Sequence, residues 1–440
     1  MSSQLIICLV IFVLTCAGYM TGVWSLATVS MLSVSALILT GCMDAKTALT
    51  YFGNSTPLMI GAMSVVAAGF NRTAFCANLS KGIAKISNGS LVKMMLGYCL
   101  LSALLSSMIQ SPVVVFGIVA PLCMASAESM GLSKSKISLP LAVTAISTCC
   151  VLPIGQGATQ AAELNGYISS YYSGLEGFTG TMPEVAFLNP MMARGPLAII
   201  SIVFCALVMH KFCPDQPPVV TEESMKKSES AAKALPAFQE WAGIIIFFGT
   251  ALALCLQASI LSSVATWVIC LVGAVLMVVT GVLKPKDATK SVPWSMLLLI
   301  VGSLAMAGCL SSTGAGQLIG NAIAVVVNGM GGNSYLVGLL FFIVPFILTQ
   351  FMSNRGTMLI FIPIAIATCY AVGGSCVGLI ILIQQACLTA FMTPMATGAV
   401  PYMMEYGGYD QASILKGGWL YAVVMMAASV LWIMTIFPIL

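Results

Sequence analysis

Arg355 lies in the run Ser353-Asn354-Arg355-Gly356-Thr357, in the middle of an apolar stretch from about 335 to 371, and no other Lys or Arg lies so far from a predicted membrane surface. A guanidinium inside a membrane is costly and usually functional. Its fork of donors suits a carboxylate or an inorganic oxyanion. Three roles are open to it: a substrate ligand, a fixed positive charge in place of a bound cation, or a structural partner for an acid such as Glu163 or Glu405. Glu163 is expected inside the membrane, where it could carry a coupling proton. Glu405 sits near Asp410 and Lys416 and reads as an interfacial carboxylate. Neutral polar groups gather wherever the apolar runs break. Gln110, Ser111, Gln156, Thr159, Ser353, Asn354, Thr357 and Thr397 are therefore expected to bind substrate together with Arg355. Gly155, Ser111, Asn354, Ala396 and Glu163 are the expected cation-coupling positions, because unwound backbone and helix ends can hold a cation.

Elements that could position these groups follow from composition. Hydrophobic residues make up 59% of the 440 and charged residues 7%, against about 25% charged in an ordinary globular protein. That excludes a soluble fold and a disordered chain alike. Continuous apolar runs of about twenty residues predict membrane-spanning helices rather than a β-barrel. Spans are expected at about 5–22, 24–41, 57–74, 195–213, 241–258, 262–283, 293–312 and 417–438. The regions 138–172 and 376–404 are apolar but broken, around Pro153-Ile154-Gly155-Gln156-Gly157 and Pro394-Met395-Ala396-Thr397-Gly398. Proline and glycine unwind a helix, and the freed backbone groups then need protein or water partners. The segments 91–127 and 335–371 are too long for one span and carry polar breaks at Gln110-Ser111-Pro112 and at Ser353–Gly356. They read as re-entrant hairpins, with two ordinary spans joined by a polar loop as the alternative.

The two parts of the chain repeat. Gly61, Ser111, Pro121 and Pro153 recur as Gly302, Ser353, Pro363 and Pro394, each 241 or 242 residues later. The expected architecture is an all-α integral membrane protein. It is an inverted repeat of two five-span halves, 1–212 and 240–440, each with a hairpin and a broken helix, joined by a linker at 213–239. An odd number of crossings inverts the second copy, and paired broken helices in inverted repeats mark a secondary transporter with its site at the midplane. With both termini outside, thirteen lysines, among them Lys81, Lys134, Lys226 and Lys284, fall on the cytoplasmic side, and only Lys46 and Arg194 fall outside. That bias fits the positive-inside rule. The N-terminus has no basic segment ahead of its apolar run, so residues 5–22 are expected to be a retained span.

These residues resemble the divalent anion:sodium symporter (dicarboxylate/sulfate) family of the ion transporter superfamily. In that family each hairpin tip carries Ser-Asn-Thr. Here the second tip reads Ser353-Asn354-Arg355-Gly356-Thr357 and the first reads Gln110-Ser111-Pro112. The stretch from Thr393 through Gly408-Tyr409 to Gly417 looks like the family's last broken helix and final span. The resemblance implies a dimer that moves a di- or tricarboxylate or sulfate by an elevator motion, with Na⁺ or H⁺ as coupling ion. Two departures stand out. Arginine replaces the second motif's threonine, and Thr159 and Val400 replace the family's asparagines after the unwound segments.

The leading expectation is a carrier of small anions in a cell membrane, bacterial inner membrane or equivalent, cation-coupled or working by exchange. A cation/proton antiporter of the same superfamily is the alternative. The partners expected are the anion, the bilayer and a second copy. Enzyme, metal-site and nucleic-acid readings find no motif, and His210 stands without other ligand types around it. The 16 cysteines, Cys149-Cys150 included, read as small packing residues.

Overall fold

The computed structural model describes residues 3–21, 23–70, 72–75, 82–83, 85–87, 90–128, 135–175, 178–214, 235–256, 263–329, 332–350, 354–393 and 396–440. Most of the linker expected at 213–239 lies outside these residues, as do Lys81, Lys134, Ser353, Pro394, Met395 and the side chain of Glu405. The protein is all-helical, and the described residues include no strand. The first part holds α1 (Ser3–Thr21), α2 (Leu26–Leu39), α3 (Ala45–Phe52), α4 (Ser55–Phe70), α5 (Leu91–Met108), α6 (Pro112–Glu128), α7 (Ser135–Ser147), α8 (Gln160–Ser173) and α9 (Asn189–Leu207). The second holds α10 (Ala237–Leu256), α11 (Thr266–Val279), α12 (Pro285–Ser291), α13 (Trp294–Ser312), α14 (Ala315–Gly329), α15 (Ser334–Thr349), α16 (Asn354–Val372), α17 (Val377–Cys387), α18 (Ala399–Gly407) and α19 (Gln411–Ile436). Five described helices are long and apolar enough to cross a membrane: α5, α9 with its terminal 3-10 turn, α10, α16 and α19.

Local sequence starts these helices where a polar side chain can take an orphan backbone N–H. Ser25, Asp44, Asn333 and Asp410 accept from the first turns of α2, α3, α15 and α19. At Asp44 the hydroxyl and N–H of Thr47 hold the carboxyl below its usual range. Pro112 opens α6, where a missing N–H does no harm. The short helices α3, of eight residues, and α12, of seven, are not among the expected elements, because neither carries an apolar run of span length. α14 likewise falls between the span expected at 293–312 and the segment 335–371 and is not among the expected elements.

Two expected boundaries are corrected. The span expected at 57–74 ends at Phe70, and the one expected at 195–213 begins at Asn189, which draws Arg194 into α9.

The packing repeats with the order of the elements. α5 and α6 pack on α7, and α9 packs on α5 and α7; α15 and α16 pack on α17, and α19 packs on α15 and α17. Contacts between the parts are reciprocal: α2 lies on α13, α11 lies on α4, and α9 meets α19. A buried hydrogen-bonded chain, Ser147 to Ser201 to Tyr421 at 2.7 Å per step, ties α7, α9 and α19 together.

The recurring glycines Gly61 and Gly302 are not equivalent in this packing. A Cβ on Gly302 would stand 2.6 Å from Ser30 Cβ and 2.9 Å from Ser30 O, where α13 crosses α2. A Cβ on Gly61 would meet Leu297 Cδ1 at 3.4 Å, a flexible side-chain end. Gly302→Ala should therefore lower stability by about 1–3 kcal/mol, the usual cost of overpacking. Gly61→Ala should leave it nearly unchanged. The melting temperatures of the two variants in detergent decide this.

Candidate functional site

Each interruption is held by the helix pair beside it, α5 and α6 at the first and α15 and α16 at the second. α7 stops at Ser147, and Cys150 adopts left-handed backbone with φ 55°, uncommon for a residue with a Cβ. The loop then runs against the end of α5. Cys150 N donates to Ser106 O at 2.9 Å, Leu152 N to Ser107 Oγ at 3.2 Å, and Ser106 Oγ to Ala145 O at 2.9 Å. Gly155, with φ +57°, is required here, since a Cβ would sit 2.6 Å from Met108 O. A 3-10 turn, Gly155–Thr159, leads into α8.

In the second part α17 stops at Cys387, and the end of α15 supplies the partners. Gln350 Nε2 donates to Thr389 O at 3.4 Å, Met392 N donates to Gln350 Oε1 at 2.9 Å, and Thr393 Oγ1 donates to Gln350 O. Gln411 Nε2 donates to Met392 O at 2.6 Å.

The end of α5, the starts of α6 and α16 and both interruptions border one cavity of about 120 Å³. Gln110 and Pro112 come from the first tip, Cys149 and Cys150 from the first break, and Gln160 from the start of α8. Asn354, Arg355 and Met358 come from the second tip and α16, Gln384 and Leu388 from the end of α17, and Thr397 from the second break.

Arg355 Nη1 is paired with Glu163 Oε1 of α8, with the Arg355 side chain 23% exposed and that of Glu163 6%. Of the acids considered as its partner, the structure selects Glu163. Gln384 Nε2 donates to Gln160 Oε1. Gln110 Oε1, Gln160 Nε2, Gln384 Oε1 and Glu163 Oε2 are buried without a hydrogen-bond partner. Unpartnered buried polar atoms are expensive, and three of these, on Gln110, Gln160 and Gln384, belong to residues that line the cavity, where a polar group could partner them.

Of the expected substrate-binding residues, Gln110, Asn354, Arg355 and Thr397 line the cavity. Asn354 Oδ1 accepts from Thr349 Oγ1 at 3.0 Å. Ser353 lies outside the described residues, and Ser111, Gln156, Thr159 and Thr357 do not line the cavity. Ser111 Oγ accepts from Val114 N at the head of α6, and Gln156 Nε2 donates to Ser64 Oγ of α4 at 2.7 Å. Thr159 Oγ1 donates to Gln156 O at 2.8 Å, and Thr159, Thr357 and Ala396 are buried in the packing.

Sequence reasoning missed Gln160, Gln384 and the cavity-facing role of Cys149-Cys150. A signal for Gln384 was present: Gln384-Gln385 is a polar doublet inside the apolar run of α17.

Arg194 is a larger correction. It was expected at the outer surface with Lys46, which left Arg355 as the sole embedded guanidinium. Arg194 is completely buried. Its Nε donates to Gln385 Oε1 at 2.8 Å, and its Nη2 donates to Cys149 O at 2.9 Å and Ser147 O at 3.4 Å. The reason is the earlier start of α9, which carries this residue into the bundle.

Comparison with known proteins places these features. The family model described as Citrate transporter matches residues 9–384. An uncharacterized transporter of Haemophilus influenzae is 29% identical over 153 residues, 35% of this chain and 33% of that protein. The uncharacterized transporter YfbS of Escherichia coli is 29% identical over 210 residues, 48% of this chain and 33% of that protein. The matches thus span about a third of the length of these two relatives. Among solved structures, Neisseria gonorrhoeae MtrF, described as illuminating a class of antimetabolite efflux pumps, aligns with a TM-score of 0.61 at 13% identity, over 98% of this chain and 94% of its own. The YdaH transporter of Alcanivorax borkumensis aligns at 0.58 and 14%, over 89% of each chain. At such identities these two structures establish the fold alone.

The ion pair makes a specific demand. Removing one partner of a buried pair leaves an uncompensated charge, at about 3–5 kcal/mol. Arg355→Gln and Glu163→Gln should each destabilise the protein by that order, and the double variant by clearly less than the sum. A double-mutant cycle on thermal or denaturant unfolding in detergent measures the difference; additive effects would contradict the pairing.

Proposed function

The chain belongs to the citrate transporter family of membrane transporters, and from that premise we propose that it is a secondary active carrier of small organic anions of the di- or tricarboxylate type. The observation that carries this reading is the guanidinium of Arg355, the charged group among those lining a cavity where four helix interruptions converge. An interior of about 120 Å³ is well below the roughly 300–1,000 Å³ of drug-sized sites, and it suits a compact substrate.

Arg355 is the substrate's anchor in this reading, and Glu163 is the carboxylate that occupies it while no substrate is bound. A substrate carboxylate competes for the same fork of donors. Protonation of Glu163 removes the competitor, so binding of anion and proton favour one another. Gln110, Asn354, Gln384 and Thr397 supply the neutral hydrogen bonds to the remaining oxygens.

The hairpins, the inverted order of the two halves, the elevator-like alternating access and the homodimer belong to the same proposal. The repeated packing of α5–α7 with α9 and of α15–α17 with α19 supports the first two. The resemblance to dicarboxylate/sulfate symporters supports the rest. The antiporter reading would set an acid free of fixed positive charge at this point, whereas Glu163 is held by Arg355.

Uptake of labelled citrate, succinate, sulfate and aspartate into proteoliposomes tests the proposal. Each anion is run with an inward proton gradient, with an inward Na⁺ gradient, and with internal substrate alone. A carboxylate should accumulate under the proton gradient or exchange with internal substrate. Arg355→Gln should reduce uptake at least about tenfold, the loss of one charged hydrogen bond of roughly 1.5–3 kcal/mol. Glu163→Gln should keep exchange and lose the response to the proton gradient. Uptake undiminished in Arg355→Gln would overturn the assignment.

A further inference from the structure

α7 ends inside the protein at Ser147; Thr148 N and Cys149 N still donate to Thr144 O and Ile146 O, while Ala145 O and Ser147 O take their donors from other elements. Such an end carries a partial negative charge. In carriers built on discontinuous helices, unwound carbonyls and helix C-terminal ends are what coordinates a coupling Na⁺. In this chain the place is taken. Arg194 Nη2 donates to the carbonyls of Cys149 and Ser147 at 2.9 and 3.4 Å, and Nε reaches across to Gln385 of α17 at 2.8 Å. Arg194 is wholly buried, and its hydrogen-bond partners are carbonyl and amide oxygens rather than a carboxylate.

The two breaks differ in just this respect. The freed carbonyls of the second break, Thr389 O and Met392 O, are met by the neutral amides of Gln350 and Gln411. The first break is met by a permanent cation. A metal ion drawn to the Ser147 and Cys149 carbonyls would stand against that guanidinium, with little water to screen the repulsion. The donor set therefore does not fit a Na⁺ at the first break.

We propose that Arg194 is a built-in cation at the first break: it neutralises the end of α7 in place of a coupling Na⁺, so that this half of the protein binds no metal ion. The proposal rests on the carrier reading for its meaning, but its test needs no substrate. Arg194 is a positioning residue, and it acts by holding Cys149 and Cys150 in the cavity wall and α7 against α17.

The full-length protein in detergent is melted in NaCl, LiCl, KCl and choline chloride at equal ionic strength, as wild type, Arg194→Gln and Arg194→Lys. Arg194→Gln should melt lower in choline and be raised by Na⁺ or Li⁺ by at least about 2 °C more than wild type. Arg194→Lys keeps the charge and should respond to the ions as wild type does. Arg194→Gln that folds but gains no selective response to any of these cations would overturn the proposal, because loss of a merely structural contact lowers the melting point in all four salts equally. Should Arg194→Gln not fold, radiolabelled Na⁺ binding to the wild type decides. At most one ion per protomer supports the proposal; two per protomer, one at each break, overturns it. Because neither readout depends on the transported anion, failure of this inference is distinguishable from failure of the carrier reading.

Discussion

Everything in this protein turns on backbone that has left its helix inside an apolar bundle. A carbonyl or N–H freed there has no water to turn to and costs several kcal/mol if left alone. The chain meets this by setting the end of another helix, α5 or α15, against each interruption. Ser106 and Ser107 satisfy the break after α7, and Thr349 and Gln350 satisfy the break after α17. The same contacts that satisfy the backbone carry both tips and both breaks to one point. The cavity is thus a consequence of hydrogen-bond satisfaction before it is anything else.

Charge is the second constraint, and the two halves meet it differently. The first break is closed by a buried guanidinium, Arg194, whose positive charge the carbonyl dipoles of α7 balance. The second break is closed by neutral amides. The second tip presents the other guanidinium, Arg355, and balances it with Glu163 from the far side of the first break. Each embedded cation is therefore answered by a group from a different element. That locks α7, α8, α9, α16 and α17 into one body without relying on apolar contact, which between helices in lipid gives little driving force.

The repeat shows where such divergence is permitted. Helix order and the packing of α5–α7 and α15–α17 recur, because the same apolar runs and proline-glycine breaks recur 241 or 242 residues apart. Side chains at equivalent places do not. Gly61 faces a yielding leucine while Gly302 faces backbone. A repeat preserves the backbone constraint and leaves the chemistry of each copy free to change.

Much of the architecture was legible in the sequence for this reason. Apolar length, the breaks at Pro153–Gly157 and Pro394–Gly398, and the polar tips are local properties, and each forces a local outcome. They were enough for an all-helical membrane protein of transporter type, and enough to mark Gln110, Asn354, Arg355 and Thr397. Direction and depth were not legible. Gln156 and Thr159 stand at a break yet turn to α4 and to their own backbone. Gln384 sits within the helical run of α17, ahead of the break, yet faces the cavity. Arg194, five residues into α9, looked like a surface charge until the bundle closed over it. Sequence by itself marked the two regions where helices are interrupted, because proline and glycine together disfavour continued helix there, but not the last helical residues, Ser147 and Cys387. Only the tertiary structure decided which side chains answer the exposed backbone and charge there, because that depends on contacts between residues nearly 200 positions apart, such as Arg194 with Gln385 and Arg355 with Glu163.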